Sequence, residues 1–230
     1  MKPKLVVSTG AGISAESGIR TFRDADGLWE EYPVMDVASA DGFRRNPALI
    51  HKFYNERRAQ LDTVRPNRAH EILRELEDTF NVYVITQNVD DLHERAGSSK
   101  VLHLHGELRK VRALDDETKV YTLRPGETTT PETIIDGHHV RPHIVFFQEA
   151  VPNFEPATEL AAEADIFVII GTSLVVYPAA ALLHYVRRGV PVYYIDPHPG
   201  EVPSSVHVIA KPATEGMAEL AEILRSRYAK

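Results

Sequence analysis

Four groups of residues in the chain have the types and spacing to do chemistry. Gly10-Ala11-Gly12-Ile13-Ser14-Ala15 follows a short apolar run and fits G-x-G-x-x-G/A. In that pattern the first glycine permits a tight turn. The second lets backbone N–H groups approach a pyrophosphate at a helix N-terminus. Gln87-Asn88-Val89-Asp90 places amides and a carboxylate after a second apolar run. His105-Gly106 ends a third, and Gly171-Thr172-Ser173 a fourth. Polar residues at a single strand end are usually caps of the next helix. Four ends that offer amide, carboxylate, imidazole and hydroxyl groups together point to one convergent site. Within it His105 suits proton transfer at neutral pH, because an imidazole ordinarily titrates near 6.5.

A nucleotide is the expected ligand, but not in the layout of a hydride-transfer enzyme. Such enzymes carry an acid at the end of a second strand about 20 residues beyond the glycines. Here that interval, from Arg20 to Trp29, is turn-like. The best acid for a ribose hydroxyl is Asp196, after the strand-like run at 192–195.

The elements that must position these groups read as an α/β protein. Short apolar runs at 5–8, 82–85, 101–105, 143–147, 166–171, 192–195 and 206–209 predict strands. Helical spacing predicts helices over 46–61, from Asn67 (a capping residue) to Phe80, and over 156–164, 179–188 and 215–227. Buried runs separated by helices imply a mostly parallel sheet covered on both faces, with its sites at the carboxyl ends of the strands. Between 107 and 141 the pattern weakens into charged, Thr-rich sequence, which predicts a small β-rich insertion.

Composition narrows the class. The chain has 230 residues, 26 Lys+Arg against 33 Asp+Glu and a formal net charge of −7, which argues against a nucleic-acid-binding surface. There is no cysteine, so a disulfide, a thiol nucleophile and a cysteine-ligated metal are all excluded. The N-terminal residues lack the apolar core of a signal peptide, and no apolar stretch is long enough for a bilayer. A soluble cytoplasmic protein without a membrane partner is expected. The adjacent His138 and His139 face opposite ways on a strand and lack clear partners, so no metal site is expected. His103 faces away from His105 and reads as a packed or surface histidine.

The segment from Gly10 to Arg23 (Gly-Ala-Gly-Ile-Ser-Ala-Glu-Ser-Gly-Ile-Arg-Thr-Phe-Arg) resembles the signature of the sirtuins, the NAD-dependent protein lysine deacylases. The resemblance continues through Thr86-Gln87-Asn88-Val89-Asp90, His103-Leu104-His105-Gly106, Gly171-Thr172-Ser173-Leu174 and the Asp196 region. It implies a Rossmann-like large domain (1–30, 68–106 and 143–230) and a small domain built from two insertions (31–67 and 107–142). It implies NAD as the cofactor, acyl-lysine proteins as substrates, and nicotinamide and O-acyl-ADP-ribose as products beside free lysine. NAD would be held by Gly10, Ala11, Gly12, Ser14, Ala15, Glu16, Ile19, Phe22 and Arg23, and by Gln87, Val89 and Asp90. Gly171, Thr172, Ser173, Val175, Asp196, Pro197, His198 and Ala213 would complete its site. His105, as general base on a ribose hydroxyl, and Asn88 are the implied catalytic residues. Val145, Phe146 and Phe147 would contact the substrate.

The chain departs from the family pattern in places. All four zinc cysteines are missing, with Ala113 at about the place of the first. Gln148 and Asp91 stand where glycine is usual, and Asp196 where asparagine is common. Gln148 is expected to alter which proteins dock. On the predicted helix over 46–61, Tyr54 and Arg57 share a face. In an unrelated helix this would be a core-edge tyrosine beside a solvated arginine. Here it resembles the Tyr-x-x-Arg pair by which the desuccinylase branch binds an acyl carboxylate. The expected activity is therefore deacylation that includes succinyl or malonyl groups. An ADP-ribosyltransferase or NAD hydrolase on the same scaffold is the first rival, and a non-catalytic NAD-binding module the second.

Overall fold

The computed structural model describes residues 2–19, the backbone of 28–29, and residues 32–174 and 177–228. Strand β1 (Lys4–Thr9) runs into a single helical turn, α1 (Gly12–Ala15). The two-residue strands β2 (Leu28–Trp29) and β3 (Tyr32–Pro33) pair antiparallel. Helices α2 (Val34–Val37), α3 (Ala40–Arg45), α4 (Pro47–Leu61) and α5 (Arg68–Leu76) follow. Next come β4 (Asn81–Thr86), α6 (Leu92–Arg95), β5 (Val101–His103), and four strands of a second sheet: β6 (Gly106–Ala113), β7 (Val120–Thr122), β8 (Ile134–Ile135) and β9 (His138–Ile144). Helix α7 (Phe154–Ala162), β10 (Ile166–Ile170), a 3-10 segment (Ala179–Tyr185), β11 (Val192–Ile195), β12 (Val206–Ile209) and α8 (Ala213–Tyr228) complete the chain.

The large sheet is parallel throughout, in the order β12-β11-β10-β1-β4-β5. Counting only its own strands in chain order, this is 3-2-1-4-5-6 read from the other edge, the doubly wound arrangement. Alternation along β1 explains the two layers of core. Leu5 and Val7 join Ile72, Leu73, Leu76, Leu220 and Leu224 of α5 and α8 on one face. Val6 joins Ala157 and Ala161 of α7 and Leu182 of the 3-10 segment on the other. The strand order reverses between β1 and β10, and a ligand crevice opens at such a switch point.

Several expected bounds move. The strand expected over 143–147 is instead β9, which ends at Ile144 and pairs with β6 and β8 in the small antiparallel sheet. An apolar run marks a strand but not the sheet it joins; that depends on which edge lies within hydrogen-bond reach. Helix α7 starts two residues earlier than expected, because a first-turn N–H is unbonded and Pro156 is tolerated inside that turn. The segment after Pro178 is 3-10 and stops at Tyr185. Asn67 does cap α5: its Oδ1 accepts the Ala69 N–H at 3.0 Å, and its Nδ2 donates to Ile13 O and Ser17 Oγ.

The small sheet stands without cysteine. Val111, Leu123 and Val140 form its buried centre, with Tyr121 and Ile135 packed against it. Val120 and Ile134, on β7 and β8, are 39% and 57% exposed and add little to it. A polar staple from α4 does more. His51, Asn55 and Arg58 recur at helical spacing and grip the segment before β8 at Thr129, which is 1% exposed. The Thr129 hydroxyl lies 2.9 Å from His51 Nδ1, and its N–H and C=O bond Asn55 Oδ1 and Nδ2 at 3.0 and 2.8 Å. Arg58 Nη1 reaches Leu108 O at 3.0 Å. Thr129→Val keeps the volume but strands the buried His51 nitrogen, so urea unfolding should show a loss of roughly 1–3 kcal/mol. A strong chelator should leave the melting temperature of the unaltered protein where it was. Unfolding on chelation would reject this account of the small sheet.

Candidate functional site

A cleft of about 780 Å³ opens at the carboxyl ends of the parallel strands, between the large sheet and the α4/β9 side. The turn after β1 forms one wall. Gly10 and Gly12 act there through close backbone approach, though not first towards a ligand. Their N–H groups bond Ile170 O and Gly171 O at 2.9 and 2.8 Å. A Cβ on Gly12 would lie 2.5 Å from Gly171 Cα, and one on Gly10 2.7 Å from Gly171 O. The two loops of the switch point thus interlock through their glycines. Ala11, Ser14, Ala15, Glu16 and Ile19 line the same wall. The Glu16 carboxylate accepts the Thr214 N–H and hydroxyl at 2.9 and 2.7 Å, fastening α8 to this turn. Its acceptance of a first-turn N–H accounts for α8 beginning before the expected 215. Phe22, Arg23 and Val175 lie outside the described residues.

The opposite lip comes from the ends of β10 and β11. Gly171, Thr172 and Ser173 line it with Asp196, Pro197 and His198, and Ala213 closes the corner. Asp196 is 1% exposed, and its Oδ1 accepts the His198 N–H at 2.9 Å. Gln87 crosses from β4 and donates to Thr172 Oγ1 at 3.2 Å.

At the bottom of the cleft, three side chains form one hydrogen-bonded line. Asn88 Nδ2 donates to Ser14 Oγ at 3.1 Å, and Ser14 Oγ donates to Asp90 Oδ2 at 3.0 Å. The Asn88 N–H is bonded to Thr86 Oγ1 and its C=O accepts from His103 Nδ1 at 2.9 Å, so the amide is fixed from both sides. His103 is buried, as one of the expected readings had it, and its Nε2 faces Glu94 at 2.8 Å. Burial alone would lower the His103 pKa, but the Glu94 carboxylate outweighs it and holds the ring above its ordinary value. Val89 lines the cleft beside Asn88.

Burial pushes Asp90 up to about 6, against the opposing pull of the Leu92 N–H and the Ser14 hydroxyl. Its folded value lies above the unfolded one, so protonation favours the folded state. The contribution is complete below about pH 4 and is lost as pH rises through about 6. The melting temperature of the wild type, minus that of Asp90→Asn, should therefore fall across that interval. A constant difference would mean that Asp90 stays ionised throughout.

His105 lies just beyond the third parallel strand, β5, which ends at His103. Its Nδ1 lies 3.0 Å from Gln87 O. A carbonyl only accepts, so Nδ1 carries the proton and Nε2 the lone pair. Burial lowers the His105 pKa, which keeps the ring neutral near pH 7 and able to accept a proton. Gly106 makes this placement possible. It has φ +86°, and a Cβ there would fall 2.0 Å from His143 O where β6 meets β9.

The far end of the cleft is built by α4 and the segment after β9. Tyr54 is fully buried, and Arg57, one turn on, lines the same pocket with its guanidinium 5.3 Å from the Phe53 ring centroid. Phe146 stacks on Tyr54 at 6.0 Å, and Val145 and Phe147 continue the wall. Sequence reasoning missed Gln60, Leu61, Leu108, Ile144 and Tyr177, which also line the cleft. Only Gln60 carried a signal, its i+3 spacing from Arg57. The departures find local partners: Asp91 accepts from Arg95 and Arg109 at 3.4 and 3.3 Å. Gln148, at φ +77°, exchanges two hydrogen bonds with Asp41. His138 is held by Asp115 and Lys119, His139 lies 3.2 Å from Pro131 O, and no group of three metal-binding side chains occurs among the described residues.

Comparison with known proteins agrees with this arrangement. A family model described as Sir2 family matches residues 10–178. An NAD-dependent protein deacylase of Bacteroides thetaiotaomicron is 57% identical over 227 residues, covering 96% of this chain and 97% of that protein. One of the same description from Helicobacter pylori is 50% identical, covering 94% and 95%. Among solved structures, a Sir2 homologue bound to ADP-ribose superposes with a TM-score of 0.89 at 38% identity, covering 98% of this chain and 93% of that one. A Sir2 homologue bound to NAD gives 0.85 at 38% identity, covering 98% and 90%. With the family model matching more than half of the chain and relatives at 50% identity or more over nearly all of it, the chain belongs to the Sir2 family.

Proposed function

We propose that this protein is a cytoplasmic NAD-dependent protein-lysine deacylase that removes succinyl and malonyl groups, and acetyl groups as well. One observation carries the reading: a half-buried imidazole, His105, whose pKa is lowered, and the Tyr54–Arg57 pair line the same cleft. The relatives bear the deacylase name, and solved relatives hold NAD or ADP-ribose.

The residues present suit NAD. A cleft of about 780 Å³ falls within the range of small-molecule and cofactor sites. It offers the buried Asp196 carboxylate for a hydroxyl and the fixed Asn88 amide for a polar group in its depths. NAD, when bound, supplies the carbon that takes the acyl oxygen and the nicotinamide that leaves. The chain's own part is positional and protonic. Nε2 of His105 accepts a proton, and Gln87 O holds the ring in the tautomer that leaves this atom open. The Ser14–Asp90 relay keeps the Asn88 amide in one orientation. Tyr54 and Arg57 receive the distal carboxylate of an acidic acyl group, and the apolar walls of Ile144 and Phe146 exclude water around its chain.

The test is incubation with NAD and matched succinyl-, malonyl- and acetyl-lysine peptides. Deacylation with equal release of nicotinamide supports the proposal. Nicotinamide release without deacylation would reassign the protein to ADP-ribosyl transfer or NAD hydrolysis. No turnover at all would leave it an NAD-binding module. Among the described residues, no helix is long and apolar enough to cross a membrane.

A further inference from the structure

The segment 144–149 lines the cleft from His105 to the acyl end, and its backbone is tied down almost atom by atom. The Val145 N–H bonds His105 O at 2.9 Å. The Phe147 N–H bonds Ala38 O at 2.8 Å, and Phe147 O accepts the Ala40 N–H at 3.1 Å. The Phe146 N–H is held by a side chain: Glu149 Oε2 accepts it at 2.8 Å. The same carboxylate takes Arg141 through both guanidinium ends, at 2.6 and 3.2 Å. Arg141 Nη2 also bonds Ile144 O at 3.1 Å, and its guanidinium lies 4.0 Å from the Phe146 ring centroid. Arg112, facing Arg141 across the β6–β9 register, reaches the same carboxylate at 3.5 Å.

We infer that Glu149 is a positioning residue for the acyl-lysine substrate, setting the Phe146 wall behind Tyr54 and the backbone edge beside it. This deepens, and rests on, the deacylase reading. Phe146 is 1% exposed and stacks on Tyr54, so the place of its ring decides the shape of the acyl pocket. Arg141 and Arg112 are each 8% exposed, and without Glu149 they would face one another as like charges with little water to screen them. Arg141 would then leave the Phe146 ring, and the Phe146 N–H would lose its acceptor. The carboxylate is secured in its charged form, because Arg141 and the Phe146 N–H outweigh the effect of burial and hold its pKa below the usual range. Among the described residues, the side-chain hydrogen bonds of Glu149 and Arg141 go to one another, to Arg112, to the Phe146 N–H and to Ile144 O, at the acyl end of the cleft, which is what separates the prediction from a general loss of fold.

The decisive measurement compares wild type with Glu149→Gln on succinyl- and acetyl-lysine peptides at saturating NAD. Thermal unfolding and calorimetric NAD titration accompany it. The substituted amide would keep an acceptor for the Phe146 N–H but not the charge that holds Arg141. KM for both peptides should rise by about fivefold to tenfold, the scale of one ordinary hydrogen bond, since the pocket wall shifts while the substrate keeps its own charged partners. The turnover number and the NAD Kd should stay within about threefold. Unchanged peptide KM values would overturn the proposal. So would peptide KM, turnover number and NAD affinity all worsening together, since Glu149 would then be a fold staple only. If Glu149→Gln does not fold, Arg141→Lys is judged by the same criteria, and failure of both variants to fold also overturns it. Absence of wild-type turnover on either peptide would instead bring down the deacylase reading, and this proposal with it.

Discussion

Replacing His105 with alanine should lower turnover by about 10² to 10⁴-fold, the usual contribution of a general base, while NAD still binds. The reason lies in how little else the ring does. Its Nδ1 is engaged with Gln87 O, and it sits after the last paired residue of its strand, so the side chain holds no part of the sheet. Gly106 carries the tight approach to His143 O and is untouched by the change. The fold should therefore survive, and the loss should fall on the proton-transfer step. The pH profile of the wild type should agree. Burial lowers the His105 pKa, so kcat should hold down to mildly acidic pH and fall only where the imidazole becomes charged. Near-full turnover in a variant with intact circular dichroism and NAD affinity would remove His105 from the mechanism.

Arg57→Met should separate acidic from neutral acyl groups. A succinyl or malonyl chain ends in a carboxylate, and leaving that charge unpaired inside the cleft would be strongly disfavoured. Arg57 offers paired N–H donors, and burial pushes the Tyr54 hydroxyl far above its ordinary pKa, so it stays a donor. A charge-assisted hydrogen bond contributes roughly 1.5–3 kcal/mol, equivalent to about 10 to 150-fold in specificity. kcat/KM for succinyl-lysine should thus fall at least about tenfold, with acetyl-lysine almost unaffected. Methionine keeps an apolar stem against Phe53, so the variant removes the charge and spares much of the packing. Equal losses on both peptides would mean that Arg57, with its guanidinium over the Phe53 ring, serves the fold alone.

Much of the site was legible because its parts are local. A short apolar run followed by glycine or a polar residue marks a buried strand and its end. In a parallel sheet the ends of neighbouring strands lie side by side, which is how Gly10, Gln87, His105 and Gly171 come to one cleft. The helical spacing of Tyr54 and Arg57 was equally local. The work of the glycines was not. Gly12 spares room for Gly171, far away in the chain, and only the switch point shows it.

The small sheet shows the same division. Its β character could be read from short alternating runs, and the absence of cysteine already meant that some other device holds it. Which device was decided by tertiary structure: Thr129 with His51, Asn55 and Arg58, and Glu149 with Arg141 and Arg112. The assignment of β9 to this sheet, rather than to the large one, was decided in the same way. Periodicity reports which face of an element is apolar, and that is a property of neighbours in sequence. Strand partners, buried ion pairs and close backbone approaches depend on groups brought together from distant parts of the chain, whose pairing becomes favourable only once folding has removed the water between them.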